Sequence, residues 1–370
     1  MDILIKNATI ITQNQKREIA KGDILIRDGK IDAVGVNVKE SAEKIIDASG
    51  CIVMPGLVNM HTHVVMEFTY IEMIKSGTTC FNGMCILGAK EIAKAANEIG
   101  IRGHICLEHV NEPLCNQPLV SFGIGNHAPY TCSKKLLKEA VLLAAKKKIR
   151  LHLHTSETRK EVLDVLRKEK MQPYDYLNKF GIMNDRTILA HGSWVSKREI
   201  TLAGRGMVTV VHTPSGELQL ATGGICPIVE YDKAGANVCL GTDNAAGSSL
   251  DMFEAMKMAA LLQRHRYWRA DAIPAQKILD FATINAAKAL GINAGSIENG
   301  KAADIIVLAK GTNMVPENNI VADIVYAANP SNVRDVIVNG RVIMENRKVL
   351  TVDENEVIEN AEARARTMGI

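Results

Sequence analysis

What most constrains this chain is an alternation. From about residue 57 to residue 243, short strand-like runs take turns with helix-like ones, and most of the strand-like runs close on a polar residue. The runs are LVNMHTH, TTCFNGM, RGHICLEH, LVSFGIGNH, IRLHLH, TILAH, MVTVVH and ANVCLGTD, and helical patterns such as KKLLKEAVLLAAKKK, KREITLAGRG and IPAQKILDFATINAAKAL lie between or after them. Eight strands alternating with helices predict an α/β fold, a (β/α)8 TIM-type barrel. A doubly wound open sheet is the rival, but it gathers its polar residues at one glycine-rich first turn, whereas here they sit at the carboxyl ends of many strands. Both termini have a different texture. DILIKNATII, DILIRDGKIDAVG and CIVMPG precede the alternation, while ADIIVLA and VRDVIVNGRVIMENRKVL follow it, the last with Asn-Gly between β-branched runs, a hairpin signal. The expectation is a small β-sandwich domain built from residues 1–55 and 299–370 around a barrel spanning 56–298.

The length of 370 residues suits a barrel of about 250 residues plus such a module. With 47% hydrophobic and 23% charged residues the chain matches a globular protein, which excludes disorder and fibrous repeats. A net charge of +3 from 44 basic and 41 acidic residues is too balanced for a nucleic-acid binder. No apolar run approaches the roughly 20 residues that cross a bilayer, and the first residues lack the pattern of a secretion signal. The eight cysteines (51, 80, 85, 106, 115, 132, 226, 239) form no CxxC pair, so they read as reduced core thiols of a cytoplasmic protein.

Two connections are short for such a barrel. A parallel crossover takes about a dozen residues, usually helical. VMEFTYIEMIKSG after His63 has room for barely one helix, and VNEPLCNQP after His109 has two prolines and no helical pattern. The spacing favours residues absent from both stretches, with a Cα–Cα jump well above the usual 3.8 Å somewhere in about 63–71 and again in about 109–120.

The polar strand ends carry the chemistry. His61 and His63 lie two apart on one strand, so both imidazoles face the same way. HxH alone reads as two polar residues at a strand end. LHLHTSE adds His154 at the end of the fifth strand and Glu157 just beyond; His152, a layer deeper, reads as a packed, hydrogen-bonded histidine. ILAHGSW ends the sixth strand on His191, and LGTDN ends the eighth on Asp243, a residue that elsewhere would read as an Asx turn. His109 and His212 end strands three and seven and are candidates to line the mouth, while His104 and His265 read as ordinary. Imidazole and carboxylate donors converging where barrel enzymes place their active sites suit Zn²⁺, Fe²⁺ or Mn²⁺, with one position left for water.

At this point the chain resembles the amidohydrolase superfamily, and within it the methylthioadenosine/S-adenosylhomocysteine deaminases. The likeness runs nearly end to end through VMPGLVNMHTH, MIKSGTT, HAPYTCS, LHLHTSET, ILAHGSW, LGTDNAAGSSLDMFEAMKMAALLQ, GSIENGKAADIIVLA and VIVNGRVI. HxH after PGLVN belongs to the whole superfamily; HAPYTCS followed by HTSE points to adenosine-type deaminases. The resemblance implies a single metal ion, zinc foremost, held by His61, His63, His154 and Asp243. It further implies that His191 holds the attacking water, that Glu157 faces the purine, and that His127 contacts the ribose side. Glu157, His191 and Asp243 would be catalytic, and His127, Glu157 and Asp243 would bind substrate. A small-molecule purine nucleoside and a homo-oligomer are implied as well. Two departures stand out. The segment after His63 that normally carries an acidic substrate contact is short, and HTPSGELQLATGG (212–224) differs from the usual Ser-Asn version of that loop.

Three other readings share the scaffold: a guanine deaminase, a triazine-type hydrolase, and a catalytically dead barrel acting as a scaffold. HAPYTCS favours adenosine types over guanine types, and Glu157 favours deamination over displacement of chloride. The intact His61, His63, His154, His191 and Asp243 weigh against a dead barrel. The His-x-Glu…Pro-Cys-x-x-Cys signature of the unrelated zinc deaminases is absent.

Overall fold

The computed structural model describes residues 1–64, 67–85, 88–107, 117–243, 247 and 249–368. The chain begins with β1 (Ile3–Ile11), β2 (Ile19–Arg27), β3 (Lys30–Gly35), β4 (Lys44–Asp47) and β5 (Cys51–Pro55). Eight strands follow: β6 (Leu57–Thr62), β7 (Thr78–Cys85), β8 (Arg102–Leu107), β9 (Val120–Asn126), β10 (Leu151–Thr155), β11 (Thr187–His191), β12 (Thr209–His212) and β13 (Asn237–Leu240). The chain returns to β structure with β14 (Ile305–Ala309), β15 (Val333–Val338), β16 (Arg341–Glu345) and β17 (Lys348–Val349).

Strands β6 to β13 pair in parallel, in chain order, as one eight-stranded sheet, and all eight coincide with the strand-like runs of the sequence. Most of their residues are buried, as expected of parallel strands covered by helices. The first and last strands meet at the mouth. The backbone N–H groups of Thr242 and Asp243 donate to the carbonyl of His61 at 3.1 and 3.0 Å, and the Asn59 amide donates to the Thr242 hydroxyl at 2.8 Å. This closure sets Asp243 beside His61.

The terminal strands expected to form a small sandwich are joined by hydrogen bonds into one nine-stranded mixed sheet. Alternation gives that sheet two buried faces. Ile3, Ile5, Ile24, Val53, Ile305 and Ile337 form a cluster of their own, whereas Ile52, Met54, Ile306 and Leu308 belong to the large cluster shared with the barrel helices. The Asn-Gly signal is a hairpin between β15 and β16, with φ of +49° at Asn339 and +72° at Gly340, the left-handed pair that a tight two-residue turn requires. Arg102 at the start of β8 ties barrel to sheet, its guanidinium holding both oxygens of Asp304 at 2.8 and 3.0 Å.

Helices Lys134–Lys147 and Lys197–Arg205 fall where the periodicity puts them. The run IPAQKILDFATINAAKAL breaks in two at Thr283, giving Ala275–Ala282 and Ile284–Leu290. The Thr283 hydroxyl donates back to Leu279 O and accepts from the Gln13 amide, a polar bridge to the amino-terminal sheet that periodicity does not reveal. Seven of the eight cysteines are buried free thiols, and Cys115 lies outside the described residues. One helix, Phe68–Lys75, fills the first short connection. Within the two windows in which a break is expected, residues 65–66 and 109–116, His109 among them, lie outside the described residues. Among the described residues, no helix is long and apolar enough to cross a membrane.

Candidate metal centre

The carboxyl ends of β6, β10, β11 and β13 bring His61, His63, His154, His191 and Asp243 to one place. Nε2 of His63 lies 3.3 Å and Nε2 of His61 lies 3.5 Å from Asp243 Oδ1, and Nε2 of His154 lies 3.4 Å from Nε2 of His63. Two triads, His61–His154–His191 and His61–His63–Asp243, each have their donor atoms within 4.8 Å of one another. His61, His154, His191 and Asp243 are buried, while His63 and Glu157 are partly open to the mouth.

Local bonds aim each ring. His154 Nδ1 lies 2.7 Å from the carbonyl of His127 and can only donate to it, which leaves the Nε2 lone pair pointing inward. His152 does as the sequence suggests: it packs under the site, 3.1 Å from His61 Nδ1 and 3.1 Å from the Asn82 amide. The Glu161 carboxylate accepts the backbone N–H groups of Ser156 and Glu157, each at 2.9 Å, and so pins the loop that presents Glu157. Ser156, His191 and Asp243 all have left-handed backbone, with φ of +54°, +73° and +48°, a conformation uncommon for residues other than glycine.

The electrostatics are those of a site built around a cation. Burial lowers His61 to about 4 and also lowers His154, so both imidazoles are neutral, with lone pairs available. Burial alone would raise Asp243, but contacts with His61 and His63 hold it well below the usual carboxylate range. Among the described residues, the buried Nε2 atoms of His61 and His191 make no hydrogen bond. Such orphaned nitrogens in a dry site call for a missing partner. The spacing between donors also fits: ligand atoms about 2.0–2.2 Å from a tetrahedral ion stand about 3.3–3.6 Å apart. Three imidazoles and a carboxylate at this spacing fit a divalent metal ion.

The other residues singled out by the sequence sort clearly. Glu157 Oε2 lies 3.8 Å from His191 Nε2, which lies 3.9 Å from Asp243 Oδ2. His127 stands beside His154, ring centroids 5.1 Å apart, with Nδ1 bonded to the Thr131 hydroxyl at 2.9 Å. His104 is a buried histidine bonded to Ser121, and His265 is on an exposed helix end. His212 is wholly buried behind the mouth, facing Glu217 at 3.3 Å. Glu217 and Glu161 are the residues that sequence reasoning missed. Each is an acid one helical turn past a strand-end motif, in HTPSGE and HTSETRKE, and their only signal was a carboxylate in an otherwise small or polar stretch.

Known proteins of similar sequence and shape agree. The Amidohydrolase family profile matches residues 52–343. A 5'-deoxyadenosine deaminase of Methanosphaera stadtmanae is 35% identical, covering 99% of each chain. That alignment runs over 425 positions against 370 residues here, so at least 55 positions of the relative have no counterpart. A 5-methylthioadenosine/S-adenosylhomocysteine deaminase of Pyrococcus furiosus is 32% identical over 96% of this chain and 98% of its own. Among solved structures, an adenosine deaminase from Xanthomonas campestris with bound zinc superposes with a TM-score of 0.92 at 27% identity, covering 100% of this chain and 99% of its own. The chain belongs to the amidohydrolase family.

Proposed function

We propose that this protein is a divalent-metal-dependent hydrolytic deaminase of adenosine-like nucleosides, namely 5'-methylthioadenosine, S-adenosylhomocysteine, 5'-deoxyadenosine or adenosine, which releases the inosine analogue and ammonia. The carrying observation is the convergence of His61, His63, His154 and Asp243, with Glu157 and His191 within 4 Å of one another at its open side. The names of the relatives support the substrate class.

His61, His63, His154 and Asp243 would hold the ion, with zinc favoured by the donor set and by the zinc in the Xanthomonas structure; Fe²⁺ and Mn²⁺ accept the same donors. A bound divalent ion lowers the pKa of water to roughly 7, supplying a nucleophile strong enough for an aromatic amine. The Asp243 carboxylate takes a proton from the attacking water, which His191 Nε2 orients. Glu157 protonates the purine ring nitrogen as the adjacent carbon becomes tetrahedral, and takes a proton back from the new hydroxyl as the carbonyl forms. Asp243 then returns its proton to the departing amine, so that water and substrate give carbonyl product and ammonia with no net proton change. His127, on the rim beside His154, contacts the ribose side. This reading places the protein in the cytoplasm as a homo-oligomer.

The test is ammonia release by the zinc-loaded protein from a panel of adenosine, its three 5'-modified relatives, guanine and a chlorotriazine. Ammonia from the adenosine group is expected. Turnover of guanine alone, chloride release alone, or no turnover by fully loaded protein would each overturn the assignment.

A further inference from the structure

The loop after β12 carries a buried acid that the proposed deamination does not yet use. Glu217 sits in the short helix Pro214–Gln219, 3% exposed, and its two oxygens face two wholly buried rings. Oε2 is 3.3 Å from His212 Nδ1, and Oε1 is 3.6 Å from His191 Nδ1. Thr213 fills the gap on the His191 side: its hydroxyl lies 3.1 Å from His191 Nδ1 and 3.3 Å from Glu217 Oε1. A carboxylate can only accept, so the Thr213 hydroxyl donates to Glu217 and must accept from His191 Nδ1–H. The hydrogen of that imidazole is thereby fixed on Nδ1, and Nε2 is turned toward Glu157 and Asp243.

We propose that Glu217, acting through the Thr213 hydroxyl, is the positioning residue that fixes the ring plane and tautomer of His191 for the hydrolytic step, with His212 facing the second carboxylate oxygen. The inference rests on the deaminase reading for its kinetic consequence, not for the relay itself. A buried carboxylate needs compensation: the Thr213 hydroxyl donates to Oε1, and the His212 ring stands 3.3 Å from Oε2. The charges agree with the geometry. Burial opposes the charge on Glu217, yet its contacts with His212 and His191 hold it down at about 2. Outer partners that orient a catalytic imidazole commonly carry a 10–100-fold share of activity. Glu217 stands in the loop that departs from the usual Ser-Asn sequence, so this chain holds its water-orienting histidine with a carboxylate of its own.

The experiment combines kinetics with a resonance that needs no substrate. Glu217→Gln keeps the shape but replaces one acceptor with a donor, and Thr213→Val keeps the shape but removes the hydroxyl. Each is expected to lower kcat by roughly 10–100-fold per folded, zinc-loaded molecule, with KM and zinc content little changed. The double variant should be no worse than the worse single one, because both act on one relay. Thr213→Ser should recover most of the loss of Thr213→Val. In the wild-type protein, a downfield imidazole N–H proton that vanishes in His191→Asn should shift in Glu217→Gln and in Thr213→Val. An unmoved His191 resonance, or a kcat within twofold of wild type in both single variants, would overturn the proposal. If wild-type protein deaminates nothing, the deaminase reading fails and the resonance still decides the relay. If a variant melts before it can be assayed, the other variant and the resonance decide.

Discussion

The two ends of the barrel treat buried charge in opposite ways. At the seam with the terminal sheet, two buried carboxylates meet their complements. Asp304 takes two bonds from Arg102 and a third from the backbone of Asn339, and Asp280 is shared among Arg17, Gln13 and Gln276. At the mouth, four histidines crowd one aspartate, and the buried Nε2 atoms of His61 and His191 have no hydrogen bond among the described residues. The seam is finished by the chain itself. The mouth is finished only by something the chain must bind, which is why structure lies at one end and chemistry at the other.

Breaking each end should therefore move different observables. The largest effect is expected at the mouth: Glu157→Gln removes the proton donor and should lower ammonia release by roughly 10²–10⁴-fold, while zinc content and melting temperature hold. Retained turnover would remove Glu157 from the mechanism. At the seam the reverse is expected. Asp304→Ala strands the Arg102 guanidinium in a buried site and should cost about 3–5 kcal/mol of stability, with kcat per folded molecule unchanged. A change in kcat would show that the two ends are coupled. Stripping the metal is a smaller perturbation to stability. An ion present at about a hundred times its Kd contributes about 2.7 kcal/mol, so chelation should lower the melting temperature and added zinc should restore it. A melting temperature indifferent to zinc would contradict the assignment of the cluster.

Much of this division can be read in the sequence, for a definite reason. Buried parallel strands must be continuous apolar runs, so a polar residue closing such a run marks the mouth. That logic finds His61, His154, His191 and Asp243 without reference to coordinates. It also identifies His152 as structural, since it lies one strand period deeper than His154. Glu217, Glu161 and the seam escape it. Glu217 reaches its histidines only because a six-residue helix folds back under β11 and β12, and Arg102 and Asp304 lie two hundred residues apart. Bonds between distant elements leave no local period to detect. The break at Thr283 is hidden likewise, because its cause is Gln13 at the other end of the chain.

Acid should reveal the charge cluster around Glu217. Glu217 has its pKa lowered from an ordinary 4.5 to about 2, so its contribution is complete above 4.5 and is lost as pH falls toward 2. Between about pH 6 and pH 3 the wild-type melting temperature should fall more than that of Glu217→Gln. Parallel curves would mean that His191, His212 and Thr213 do not stabilise the carboxylate.

The smallest expected effect isolates burial from geometry. Arg269 grips both oxygens of Asp271 at 3.0 and 2.8 Å, nearly the distances at which Arg102 grips Asp304. The side chains of the first pair are 66% and 76% exposed, against 15% and 3% for the second. Water screens the exposed pair and would solvate either partner left alone, whereas nothing solvates Arg102 once Asp304 is gone. Asp271→Ala should therefore leave the melting temperature within experimental scatter while Asp304→Ala lowers it strongly. Equal shifts in the two variants would mean that pair geometry, not burial, sets what the seam contributes, and the contrast between the two ends of the barrel would lose its physical basis.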